Sequence, residues 1–122
     1  VERERGQLDD PIVRDRLADS YIGLQLMRYW MFRTISSVLQ RGRPGPEASI
    51  NKLQWSQWHQ ALGELATDII GADAMIDHAD SALHEIEHSF LFSRAHTIYA
   101  GSSQVQRNII GERVLGLPKE PS

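Results

Sequence analysis

The sequence predicts an all-α domain, an antiparallel four-helix bundle, and three observations carry that expectation. Apolar residues recur three and four positions apart along most of the chain. Glycine and proline stops cut this pattern into four segments. No stretch alternates apolar and polar residues with the period of two that a half-buried strand needs.

The first segment runs from Pro11 to about Gln40, with Val13, Leu17, Tyr21, Leu24, Met27, Met31, Ile35 and Val38 on one stripe. Asp10 is a natural N-cap. Pro11 suits the first helical position, where its missing N–H costs nothing. Met27, Tyr29, Trp30, Met31 and Phe32 make this helix apolar nearly all round at mid-length, which predicts packing on more than one side. The stretch RGRPGPE (41–47) stops it: Gly42 can adopt the left-handed terminal conformation, and two prolines block continuation. Pro46 and Glu47 suit the first turn of the second helix, the carboxylate lying near the positive end of its dipole. That helix is expected to reach Ile70 and to stop at Gly71, with Trp58, Leu62, Leu65 and Ile69 on one side.

ADAMIDHADSALHEIEH (72–88) begins as a polar loop and becomes helical between Asp80 and Glu85, the third helix continuing to about Ile98. A fourth helix follows almost at once. Ser103 and Gln106 fit the S-x-x-Q capping box, and Gly116 with Pro118 ends the segment.

At 122 residues, 41% apolar and 24% charged, the chain suits one globular domain. A net charge of −3 argues against nucleic acid or an anionic membrane as partner. No apolar run approaches the length of a membrane span. Without cysteine there is neither disulfide nor thiolate chemistry. The polar start VERERGQLDD, lacking Met, reads as a cut from a longer polypeptide.

Two stretches invite a chemical reading. HEIEH (84–88) matches H-E-x-x-H, in which His84 and His88 would share a helix face around zinc while Glu85 activates water. Enzymes of that type bind substrate along a strand, which this sequence lacks, and the third ligand (Glu112 or His96) is unspecified. The alternative is a solvated helix entrance. His59, between Trp58 and Gln60, reads as a packing residue. His96 stands one turn before the second stretch, where it could orient backbone or simply make a structural hydrogen bond. That stretch is the corner Tyr99-Ala100-Gly101-Ser102-Ser103, small residues immediately ahead of a helix. Free N–H groups there can meet a polar ligand edge, and Gly101 allows close approach. A plain interhelical turn is the other reading.

SRAHTIYAGSSQVQRNIIGERVLGLP (93–118) resembles the C-terminal signature of the acyl-CoA dehydrogenase family, I-Y-x-G-T-x-x-I-Q-R-N-I-I-x-x-R-x-L-G-L-P. PGPEASINKLQWSQWHQALGELATDIIG (44–71) is similar to the family's preceding helix. Residues 1–122 therefore resemble the last of the family's three domains, without the N-terminal helical and middle β domains. The resemblance implies an FAD enzyme that oxidises an acyl-CoA thioester to the 2-enoyl-CoA and passes electrons to an electron-transferring flavoprotein. It also implies a homo- or hetero-tetramer, working in the bacterial cytoplasm or the mitochondrial matrix.

The same resemblance assigns residues. The backbone N–H at x, here Ala100, holds the thioester carbonyl. Tyr99 and Gly101 face substrate. Ser102 replaces the Thr that meets the flavin, and Gln104 stands where a polar residue contacts the cofactor's nucleotide end. Asp68, Gly71 and Ala72 match a turn that approaches the FAD of a neighbouring subunit, although the commoner pattern is Gln-x-x-Gly-Gly. Many members carry the catalytic Glu at x; Ala100 has no carboxylate. The resemblance then implies either a base upstream of Val1 or a non-catalytic subunit serving assembly.

Overall fold

The computed structural model describes residues 9–45, 48–76 and 82–119. They form α1 (Pro11–Arg41), α2 (Ala48–Ile70), a short 3-10 helix (Gly71–Met75), α3 (Ala82–His96) and α4 (Ser103–Arg113), with no strand among the described residues. None of these helices is long and apolar enough to cross a membrane.

Local chemistry sets most boundaries. The Asp10 carboxylate accepts a hydrogen bond from the Ile12 N–H at 2.8 Å, with Pro11 opening α1. Gly42 takes a φ of 72° and donates to the Val38 carbonyl at 2.8 Å, closing it. Pro46 and Glu47, expected in the first turn of the second helix, lie outside the described residues, as do 77–81. Gly71, at a φ of 70°, stops α2 as anticipated, and the start of the expected polar loop is instead a 3-10 turn. Helix α3 ends two residues before the expected Ile98, because the Ile98 and Tyr99 N–H groups both donate to the Ala95 carbonyl as the chain turns away. Helix α4 closes at Arg113 rather than Gly116: the N–H groups of Val114 and Leu115 share the Ile110 carbonyl.

The tertiary arrangement centres on α2, against which α1, α3 and α4 each make their main contacts. Helix α1 runs antiparallel to it. Arg16 pairs with Asp68 near the end of α2, the Trp58 indole donates to the Ser20 carbonyl at 2.7 Å, and Met31 lies beside Ala48 at its start. Helix α3 is antiparallel on another side. Arg94 pairs with Glu64 at 2.8 Å, and Gly63 meets Phe90 where small residues let the backbones approach. Ser56 and Ser93 are fully buried and bond to carbonyls of their own helices. Among the described residues the buried apolar core is small: Leu65, Ile69 and Ile70.

Among the described residues α1 makes its main contacts with α2 alone. Tyr21, Leu24, Tyr29, Met31, Phe32, Ile35 and Leu39 remain exposed, since one helix line covers only one flank of an all-round apolar segment.

The α1–α2 contact depends on Gly23. A Cβ there would fall on the Trp58 indole, 2.9 Å from the Nε1 that bonds to Ser20. Helix propensity alone makes Gly23→Ala stabilising by about 1 kcal/mol. The overlap reverses the sign, and a net loss of about 1–2 kcal/mol is expected in urea denaturation.

Candidate functional site

The corner between α3 and α4 is built from unusual backbone. Ala100 has a φ of 55°, the single left-handed conformation of a non-glycine residue among those described, and Gly101 follows at 97°. For a residue with a Cβ this conformation costs about 1–2 kcal/mol, so the surroundings must hold it. They do so through carbonyls. The Gln106 side chain, buried in the first turn of α4, donates from Nε2 to the Ala100 oxygen at 2.9 Å. The Ser103 N–H donates to the Thr97 oxygen at 3.2 Å. Ala100 is an exposed residue, and among the described residues its N–H has no acceptor.

The capping residues differ from those expected. The N-cap is Ser102, whose hydroxyl oxygen accepts from the Val105 N–H at 3.4 Å. Ser103 is already helical, and Gln106 reaches back to the corner carbonyl instead of closing a capping box with it. The left-handed pair Ala100–Gly101 turns the chain one residue earlier than the S-x-x-Q spacing suggests. A Cβ on Gly101 would lie 2.6 Å from Gln106 Nε2, so the side chain that holds Ala100 occupies the space glycine leaves empty.

Beneath the corner, α2 supplies Lys52, Trp55 and His59. Lys52 Nζ donates to the His96 carbonyl at 3.0 Å and to the Gly101 carbonyl at 2.7 Å. The His96 ring is 5% exposed and enclosed by rings: Trp55 at 4.3 Å and His59 at 4.6 Å between centroids, with Phe92 and Tyr99 edge-on at 5.1 and 5.5 Å. Its Nδ1 lies 2.8 Å from His59 Nδ1, so one ring donates and the other accepts. Burial, then His59, then Lys52 push the His96 pKa below its ordinary 6.5 and favour the neutral ring. His59 and His96 are thus packing partners with a structural hydrogen bond. Lys52 had no sequence signal beyond being a cation on the second helix.

The residues assigned by resemblance fall into two groups. Tyr99, Ala100, Gly101, Ser102 and Gln104 are contiguous at the corner, with Tyr99 and Gln104 exposed. Asp68, Gly71 and Ala72 sit at the opposite end of α2. Asp68 is sixteen residues beyond Lys52, a rise of about 24 Å along the helix. The chain does not bring the groups together. Asp68 is engaged by Arg16 at 2.8 Å, while Gly71 and Ala72 are exposed.

His84, Glu85 and His88 lie on the exposed side of α3, and His88 stacks on Phe92. Among the described residues no three His, Asp or Glu side chains converge as a metal site would require. A separate apolar groove of about 680 Å³ runs between α1 and α2, lined by Leu24, Met27, Met31, Trp55 and Trp58 with Lys52 at its edge.

The family model for the C-terminal domain of acyl-CoA dehydrogenases matches residues 2–115. Acyl-CoA dehydrogenase IpdE1 of Mycobacterium tuberculosis is 44% identical over 118 residues, which is 97% of this chain and 30% of that protein. The protein of the same name from Mycolicibacterium smegmatis is also 44% identical, over 97% of this chain and 29% of its own length. Acyl-CoA dehydrogenase FadE34 of M. tuberculosis is 29% identical over 76 residues, 62% of this chain and 10% of that protein. The chain thus spans about three tenths of the two more similar relatives. No solved structure matches it.

Two outcomes follow from the corner's construction. Gly101→Ala places a Cβ in a left-handed residue and against Gln106, so a loss of about 1–3 kcal/mol is expected by denaturant titration. The depressed His96 pKa has a definite sign. The unfolded chain takes up a proton near 6.5 that the folded chain refuses, so stability is full above that pH and falls as pH drops towards the lower, folded value. Melting temperature should therefore decline between about pH 7.5 and pH 5.5, and His96→Asn, which cannot titrate, should flatten that decline.

Proposed function

Because this chain belongs to the acyl-CoA dehydrogenase family as its C-terminal helical domain, we propose that it serves an FAD-dependent oxidation of an acyl-CoA thioester to the 2-enoyl-CoA. The observation that carries the reading is Ala100, an exposed left-handed residue whose N–H has no acceptor among the described residues. A donor held in place before substrate arrives suits a carbonyl that gains negative charge during α-proton removal. FAD, which Ser102 and Gln104 would help to hold, would supply the acceptor for the β-hydride, and a carboxylate base would take the α-proton.

The residues fit that cofactor. The Ser102 oxygen is occupied by the Val105 N–H, which leaves the hydroxyl hydrogen to donate to the flavin. Gln104, exposed in the first turn of α4, reaches the nucleotide end. Tyr99 and Gly101 border the acyl thioester. Gly71, with Asp68 and Ala72, approaches the FAD of a neighbouring copy, which the roughly 24 Å along α2 between the groups supports. An oligomer, a tetramer in this reading, follows from that division, and electrons leave to an electron-transferring flavoprotein. Mycobacterial relatives support a bacterial cytoplasmic setting.

Ala100 polarises the thioester but cannot deprotonate it. In this reading the base is a carboxylate upstream of Val1, the alternative being a non-catalytic subunit that serves assembly.

The full-length protein is expected to purify yellow and to bleach under anaerobic addition of an acyl-CoA. A colourless, FAD-free preparation that gains no flavin on reconstitution overturns the reading.

A further inference from the structure

Three carbonyls around Ala100 are held by side chains from elsewhere in the fold. Gln106 holds that of Ala100, and Lys52 holds those of His96 and Gly101. The two Lys52 acceptors bracket the left-handed residue, one at the C-terminal end of α3 and the other directly after Ala100. The last carbonyls of a helix lack intrahelical partners and favour a cation. The Lys52 ammonium makes both bonds charge-assisted. With the Ala100 and Gly101 oxygens both fixed, the two peptide planes after Ala100 cannot rotate. The Ala100 N–H belongs to the peptide just before them, which is flanked on its other side by the Tyr99 N–H donating to the Ala95 carbonyl at 3.0 Å, so both neighbours of that peptide are held while φ stands at 55°.

We propose that Lys52 is a positioning residue for the thioester: without touching substrate, it clamps the His96 and Gly101 carbonyls and thereby aims the Ala100 N–H. This role rests on the reading of Ala100 given above. It differs from simple helix anchoring, because an anchor would contribute to stability alone. A clamp on the donor must also control carbonyl polarisation, and misplacing a catalytic group by about 1 Å can cost about 100-fold in rate.

The test uses the FAD-loaded full-length protein and its Lys52→Met variant. Hydrogen–deuterium exchange reads the clamp directly: uptake in residues 97–103 should rise in the variant while α1 is unchanged. Polarisation is read with a dimethylaminocinnamoyl-CoA thioester, whose absorption moves to the red when its carbonyl accepts a strong hydrogen bond. Lys52→Met should lose that red shift and about 100-fold in kcat, with thioester affinity altered less than about threefold.

Unchanged exchange at 97–103 overturns the clamp. Raised exchange with the red shift and kcat intact overturns positioning and leaves an anchor. If the unaltered protein gives neither red shift nor flavin bleaching, the assignment of the corner to a thioester fails, and this role of Lys52 with it; the exchange result identifies that case separately. Should Lys52→Met not fold, Lys52→Gln, a shorter neutral donor able to reach one carbonyl, is measured instead. An intermediate red shift supports the proposal, and a full one overturns it.

Discussion

The carbonyl oxygens of His96 and Gly101 belong to different turns of the chain, yet both converge on the ammonium group of Lys52. That convergence makes the corner a defined object rather than a loop. It joins the end of α3 and the approach to α4 to one point on α2, and it frames a residue whose backbone would otherwise relax out of the left-handed region. The rest of the site is arranged around it. Trp55 and His59, one and two turns further along α2, enclose the His96 ring from below. Gln106 closes the frame from α4.

Helix α2 works in two registers. Its second half carries the small apolar core of Leu65, Ile69 and Ile70; its first half carries polar and aromatic side chains whose bonds are directional. Burial stabilises the first without specifying a single geometry. Hydrogen bonds across α2, α3 and the corner specify orientation, because buried donors and acceptors are costly to leave unpaired. The part of the bundle that carries the corner is therefore the part held by polar contacts. Helix α1, joined to α2 along one flank, leaves most of its apolar surface uncovered in this chain.

The chemistry proposed for the corner divides labour in a consistent way. Substrate polarisation needs a fixed dipole more than a movable side chain, and a backbone N–H in a strained turn supplies one. Proton removal needs a titratable group, and Ala100 has none. The distal turn at Gly71 is carried on the same rigid helix, so in an oligomer any tilt of α2 would be felt at both of its ends.

Much of this was legible in the sequence. Asp10, Pro11, Gly42 and Gly71 mark helix ends because caps and left-handed stops depend on one residue and its immediate neighbours. The three- and four-residue apolar spacing determined the helical class, and IYAGSS with QRNII carried the family. Tertiary structure alone decided the rest. The cap moved from Ser103 to Ser102, and Gln106 donates to the Ala100 carbonyl rather than accepting from a capping N–H. The apolar flanks of α1 stayed exposed because packing partners are not written into periodicity. Lys52 became a clamp, and His96 a neutral ring beside His59, because hydrogen bonds spanning forty-nine and thirty-seven positions depend on how α2, α3 and the corner meet. Sequence spacing reports what a residue can do within its own helix; the geometry between helices determines which of those capacities is used.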